Sequence, residues 1–147
     1  MNAGAPVALS QYKGKVCALA FILTTCPHCQ KTVGYLSAMQ TEYGPRGFQV
    51  LASAIDDMGK MLVPDFINRF KPSFPVGYTS LAEAQLYLQH PTMYRMLMPQ
   101  LVFIDRKGEI RAQYAGDDKF FAEDQEKRMR EQIEALLKEA PAVHKKR

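Results

Sequence analysis

Two kinds of apolar spacing alternate along the 147-residue chain. Val16-Cys17-Ala18-Leu19-Ala20-Phe21-Ile22-Leu23 is apolar without interruption, which predicts a strand over 15–23 covered on both faces, as in parallel sheets. Val33, Leu36, Met39 and Tyr43 then recur at helical spacing and predict a helix from Cys26 to about Tyr43, stopped by Gly44-Pro45. Pro27 falls in its first turn, where a missing N–H costs nothing. A second strand covers 48–55, with Asp56-Asp57 at its end. Leu62, Val63, Phe66, Ile67 and Phe70 share one side of a second helix, with Pro64 near its N1 position and Lys71-Pro72-Ser73-Phe74-Pro75 breaking it.

Val76-Gly77-Tyr78 is a short extended piece, and Ser80 with Glu83 makes a capping-box pattern for a helix to about Leu88 that His90-Pro91 ends. The stretch to Met98 is apolar without a clear period. Leu101-Val102-Phe103-Ile104-Asp105 is a strand, Arg106-Lys107-Gly108-Glu109 a hairpin turn, and 110–114 the return strand. Asp117 or Asp118 is expected to cap a last helix that buries Phe121, Met129, Ile133, Leu136 and Leu137. The order β-α-β-α-β-α-β-β-α is that of an α/β fold in which a parallel half joins an antiparallel hairpin. One domain over 1–140 is expected, followed by a basic, disordered tail over 141–147.

A hydrophobic content of 47% with 23% charged residues is ordinary for a globular chain. The net charge of +4 gathers partly in His144-Lys145-Lys146-Arg147, without the aromatic-and-basic pattern of nucleic-acid binding. No apolar run reaches the ~18 residues of a membrane span. Met1-Asn2-Ala3-Gly4-Ala5-Pro6 lacks both the charged and the apolar region of a signal peptide. Three cysteines exclude a disulfide-dense scaffold, and Cys17, inside the apolar strand, reads as a buried, inert thiol.

The candidate chemistry lies in Thr24-Thr25-Cys26-Pro27-His28-Cys29-Gln30. Two cysteines separated by two residues, where a strand hands over to a helix, form a redox motif. Cys26 falls at the helix N-terminus, where unpaired N–H groups and the dipole favour a negative sulfur. Cys29, one turn on, is placed to attack a mixed disulfide formed at Cys26.

These residues resemble the TlpA/ResA-like branch of bacterial thiol-disulfide oxidoreductases, which have the thioredoxin-like fold of a central mixed sheet flanked by helices on both faces. Leu9-Ser10-Gln11-Tyr12-Lys13-Gly14-Lys15-Val16 resembles that branch's lead into the first strand, and Phe21–Cys29 its active-site segment. Met98-Pro99-Gln100-Leu101-Val102-Phe103-Ile104-Asp105-Arg106-Lys107-Gly108 resembles its proline loop, strand and turn. The resemblance implies Cys26 and Cys29 as the catalytic pair, a cis bond before Pro99, and Thr25, Met98 and Pro99 as the substrate-binding set. It also implies a redox-active disulfide as the sole redox group, with no metal. The partners it implies are client protein thiols or disulfides and an upstream thiol-disulfide donor or acceptor, in an extracytoplasmic setting that includes cytochrome c maturation. Nothing in the sequence demands more than a monomer.

Two departures stand out. Relatives often carry a polar or acidic residue six positions before the first cysteine, where this chain has Ala20, so the proton of Cys29 needs another route; Glu42, Asp56 and Asp57 are candidates. The tryptophan common just before the first cysteine is also missing, since the chain has none. Pro27-His28 is the pair found in strongly oxidising DsbA-like proteins, and a His28 donor toward Cys26 would make the disulfide a better oxidant. The branch is mostly reducing, so the two hints conflict. Reduction is the primary reading and disulfide introduction or isomerisation the alternative.

Four other readings remain. A peroxiredoxin needs Pro and Thr where Leu19 and Leu23 stand, and a zinc site needs more ligands than remain. A Cu(I)-handling protein could use both motif thiolates with His90. The Met93-Tyr94-Met96-Leu97-Met98 cluster reads either as a flexible client-gripping surface or as core.

Overall fold

The computed structural model describes residues 9–139; the expected basic tail over 141–147 and the leader reading of 1–6 lie outside them. Five strands form one sheet in the order β3-β2-β1-β4-β5: β1 (Val16–Ile22), β2 (Phe48–Ala54), β3 (Val76–Tyr78), β4 (Gln100–Ile104) and β5 (Ile110–Tyr114). β1 pairs in parallel with β2 and antiparallel with β4, so the central strand joins the parallel half to the hairpin. Its seven residues are all buried, as an uninterrupted apolar run requires. The side chains alternate: Val16, Ala18, Ala20 and Ile22 enter one core, and Cys17, Leu19 and Phe21 the other.

The first core is closed by helices α1 (Pro27–Tyr43), α2 (Gly59–Phe70) and α4 (Gln125–Lys138), through Cys29, Val33, Leu36, Met39, Val63, Phe66, Met129 and Ile133. The second is closed by α3 (Leu81–Leu88), through Ala84 and Leu88, together with Met96. The Ser80 capping box forms as expected, with Glu83 N–H on Ser80 Oγ at 3.0 Å. The Asp105–Glu109 turn carries Gly108 at φ 88, a conformation that favours glycine.

Two boundaries differ from the sequence expectation. α2 begins at Gly59, so Pro64 lies inside it rather than near N1. Pro64 and Lys60 are both exposed, so the helical bond that Pro64 cannot donate to the Lys60 carbonyl is lost at the surface rather than in the core. Leu62 is correspondingly on the water side, 36% exposed. The last helix is not capped by Asp117 or Asp118. Asp118 Oδ1 instead accepts from Phe120 N–H at 2.8 Å and caps a separate 3-10 turn, Lys119–Phe121. Phe120 and Phe121 are both buried in the first core. Successive residues of an α-helix diverge by about 100°, so a separate turn buries both more readily.

Candidate redox site

The end of β1 positions the cysteines. Cys26 N–H closes a turn on the Leu23 carbonyl at 3.2 Å, and the Cys26 carbonyl starts α1 by accepting from Gln30 N–H at 2.9 Å. Cys26 is thus the N-cap, in extended conformation (φ −87, ψ 116), with Pro27 in the first turn. Its Sγ accepts from Cys29 N–H at 3.3 Å. A cap side chain normally supplies oxygen here; in this chain the Cys26 sulfur takes that place.

The two thiols differ in environment. Cys26 is half-buried, whereas Cys29 is fully buried, and both are unbridged. Burial pushes the Cys29 thiol far above its ordinary value; Cys26 and Asp56 push the same way, against a hydrogen bond with the Leu23 backbone. Cys29 therefore holds its proton while Cys26 is the accessible sulfur. Cys17 enters the opposite core, 3% exposed, so the sheet separates it from Cys29. Burial raises its thiol to about 11, with Lys15 opposing.

Cys26 opens into a groove of about 380 Å³ lined by Leu23, Arg95, Met96, Leu97, Met98, Gly116 and Asp117. Met98 thus meets Cys26 across one groove, and the Met98–Pro99 peptide bond is cis. The turn is tied down by Gln100, buried at the start of β4, whose Nε2 donates to the Leu97 carbonyl at 2.7 Å. Thr25 and Pro27 are exposed, and neither lines the groove. The Met-rich segment is split: Met96 is 8% exposed and core, whereas Met93 is 82% and Tyr94 63% exposed.

His28 packs in a T-shaped arrangement with Phe121, centroids 5.3 Å apart at 85°. Its Nε2 lies 3.1 Å from the Gly116 carbonyl oxygen, so this nitrogen bonds to the groove wall. Of the three acids considered for the Cys29 proton, only Asp56 reaches the site, accepting from Thr24 N–H and Thr24 Oγ1. Glu42 pairs with Arg130 near the other end of α1, and Asp57 is exposed. Gly116 carried no recognisable sequence signal and enters the site only through chain crossing; Gln100 and Arg95 flank the proline loop, but nothing in the sequence marked a role for either side chain. Gln30, inside the motif, was also missed, and its Nε2 donates to the Thr24 carbonyl at 3.0 Å.

Among the described residues no three His, Cys, Asp or Glu side chains converge as metal ligands, so the Cu(I) reading lacks its third donor. A wider cleft of about 550 Å³, between Lys31 and Tyr35 of α1 and the start of α4, contains neither cysteine nor histidine.

The mixed sheet with helices on both faces and a capped cysteine pair define a thioredoxin-like protein. Residues 1–133 match the Redoxin family model, and the chain belongs to that family. It is 31% identical over 105 residues to the thiol-disulfide oxidoreductase ResA of Oceanobacillus iheyensis, covering 71% of this chain and 51% of that protein. The chain thus spans about half the length of that relative. Among solved structures it resembles one provisionally assigned as the thiol:disulfide interchange protein DsbE of Chlorobium tepidum, with TM-score 0.75 and 24% identity over 92% of this chain and 96% of that one. A secreted Mycobacterium tuberculosis disulfide oxidoreductase, homologous to E. coli DsbE, aligns with TM-score 0.68 and 19% identity over 90% of each chain.

Proposed function

We propose that this chain is a thiol-disulfide oxidoreductase that reduces client disulfides through a Cys26–Cys29 dithiol. The observation that carries the reading is the asymmetry of the pair: Cys26 Sγ half-exposed at the cap of α1, on the Cys29 N–H, and Cys29 fully buried. The Cys26 thiolate attacks one sulfur of a client disulfide; the client S–S bond breaks, and the released client thiolate takes up a proton. Cys29 then gives up its proton and attacks Cys26 in the mixed disulfide, expelling the second client thiolate. The protein dithiol is oxidised and the client disulfide reduced, and an upstream thiol-disulfide donor resets the pair.

The Met98 backbone, Pro99 and Thr25 hold the client chain, and Pro27 and His28 set the potential. The ResA relative supports the activity, and the secreted mycobacterial structure supports an extracytoplasmic setting in which client thiols need to be kept reduced. Cytochrome c maturation is the matching role.

Equilibration in glutathione buffers, followed by alkylation and mass measurement, tests this. A Cys26–Cys29 disulfide with a potential near that of thioredoxin, about −270 mV, is expected. A value near about −120 mV would favour the second reading, supported by the Pro27-His28 pair, of a protein that introduces or shuffles disulfides. Failure to form the disulfide at any poise would overturn both.

A further inference from the structure

His28 is the one motif side chain that bonds to the wall of the groove. The Gly116 carbonyl can only accept, so at 3.1 Å the His28 Nε2 must carry the proton and donate it. Gly116 in turn lies hard against the other side of the groove. A Cβ there would stand 2.4 Å from the Met98 carbonyl oxygen and 2.9 Å from the Met98 nitrogen, an approach open only to glycine. Gly116 N–H also donates to the Leu97 carbonyl at 3.1 Å, beside the Gln100 amide on the same oxygen. An unbroken chain of contacts therefore runs from the helix that carries Cys26, through His28 and Gly116, to the Leu97–Met98 backbone facing Cys26.

We propose that His28 is a positioning residue for the client-binding loop: its Nε2–H, bonded to the Gly116 carbonyl, fixes the Leu97–Met98 backbone at the distance from Cys26 that an extended client strand requires. This deepens the oxidoreductase reading and rests on it. The role is separate from any effect of His28 on the sulfur, because the Nε2 donor is spent on the wall and Nδ1 alone is left on the ring. Phe121, against the ring, holds the imidazole in that orientation.

The test compares two disulfide probes: glutathione disulfide, and a short synthetic peptide with one internal disulfide that can extend along the groove. A change in Cys26 reactivity alters both rates alike, so the ratio of their kcat/KM values isolates the groove. His28→Phe keeps the ring on Phe121 and removes the donor; Gly116→Ala keeps His28 and forces the wall off Met98. For each variant the peptide-to-glutathione ratio is expected to fall about five- to tenfold, the size of one hydrogen bond, mostly through a raised peptide KM. Ring nitrogen NMR of the wild type is expected to show neutral His28 as the Nε2–H tautomer.

An unchanged ratio in folded His28→Phe, or an Nδ1–H tautomer, would overturn the positioning role. Should Gly116→Ala fail to fold, His28→Phe and the tautomer decide. A wild type that exchanges with neither probe would instead overturn the oxidoreductase reading.

Discussion

Asp56 grips Thr24 with both carboxylate oxygens. Thr24 N–H reaches Oδ1 at 3.0 Å and Oδ2 at 3.1 Å, and Thr24 Oγ1 donates to Oδ2 at 2.9 Å. The residue just past β2 thereby fixes the turn that presents Cys26, and its negative charge raises the Cys29 thiol.

Asp56→Asn keeps an oxygen acceptor but removes the charge. The pH profile for resolution of a mixed disulfide at Cys26 should then move to lower pH, because Cys29 loses its proton more readily. Asp56→Ala should also cost about 1–2 kcal/mol of stability, measured by denaturant unfolding. An unchanged resolution profile in Asp56→Asn would separate the carboxylate from the proton of Cys29.

Cys26→Ser should abolish turnover while leaving the fold intact, and Cys29→Ser should accumulate a Cys26 mixed disulfide with a peptide client, visible by mass. In the wild type the resolving step should accelerate with rising pH through the neutral and alkaline range, because burial keeps Cys29 protonated below it. Full dithiol turnover by Cys29→Ser would sink the two-cysteine scheme.

Cys17 gives the protein an alkaline weakness. Its thiol is pushed up to about 11 by burial. In the unfolded chain a cysteine titrates near ~8.5, so its contribution to stability is complete below that pH and is lost as pH rises from there toward the native value. The buried Cys29 adds in the same direction. Guanidinium unfolding between neutral and strongly alkaline pH should show a smaller loss for Cys17→Ala than for wild type. Identical losses would mean that other groups set the alkaline limit.

Thr32 and Gln125 form a buried polar pair between α1 and α4, Oγ1 to Oε1 at 2.7 Å, while Gln125 Nε2 has no partner among the described residues. Thr32→Val strands the whole amide and should cost about 1–3 kcal/mol. Adding Gln125→Leu should recover much of that loss, because removing both partners leaves no unsatisfied group. A double-mutant cycle measures this coupling, and strict additivity would refute it.

Asp105 works in the acid range. Burial alone would raise its carboxyl, but backbone N–H groups at Glu109 and Lys107 and the Arg111 guanidinium outweigh it and lower it. Its contribution is therefore present above the usual carboxylate range and lost as pH falls through the depressed native value. Asp105→Asn should lower Tm at neutral pH and flatten the acid limb of the stability curve.

Much of this molecule is legible from near neighbours. The apolar run of β1, the cysteine pair at the start of α1, the Ser80–Glu83 box and the Gly108 turn follow from interactions within a few residues, which a linear reading can count. The α/β order follows as well, because strand and helix periods differ. Pro64 and Asp118 misled for the same local reason: each is a common helix-start residue, and only exposure of the Pro64 turn and burial of two adjacent phenylalanines overrode that preference.

Partners across the site needed the fold. Asp56 meets Thr24 across 32 residues because β2 lies in register beside β1, and that choice among three acids depended on strand pairing. His28 meets Gly116 across 88 residues because β4 runs antiparallel on the other side of β1, and β5, paired to β4, delivers the loop that follows it over the cysteines. The sequence alone therefore marked the candidate reacting atoms, since sulfur chemistry and helix capping are local. Tertiary structure decided which groups surround them, because a hydrogen bond between distant residues exists only once the sheet order has brought the two chain segments together.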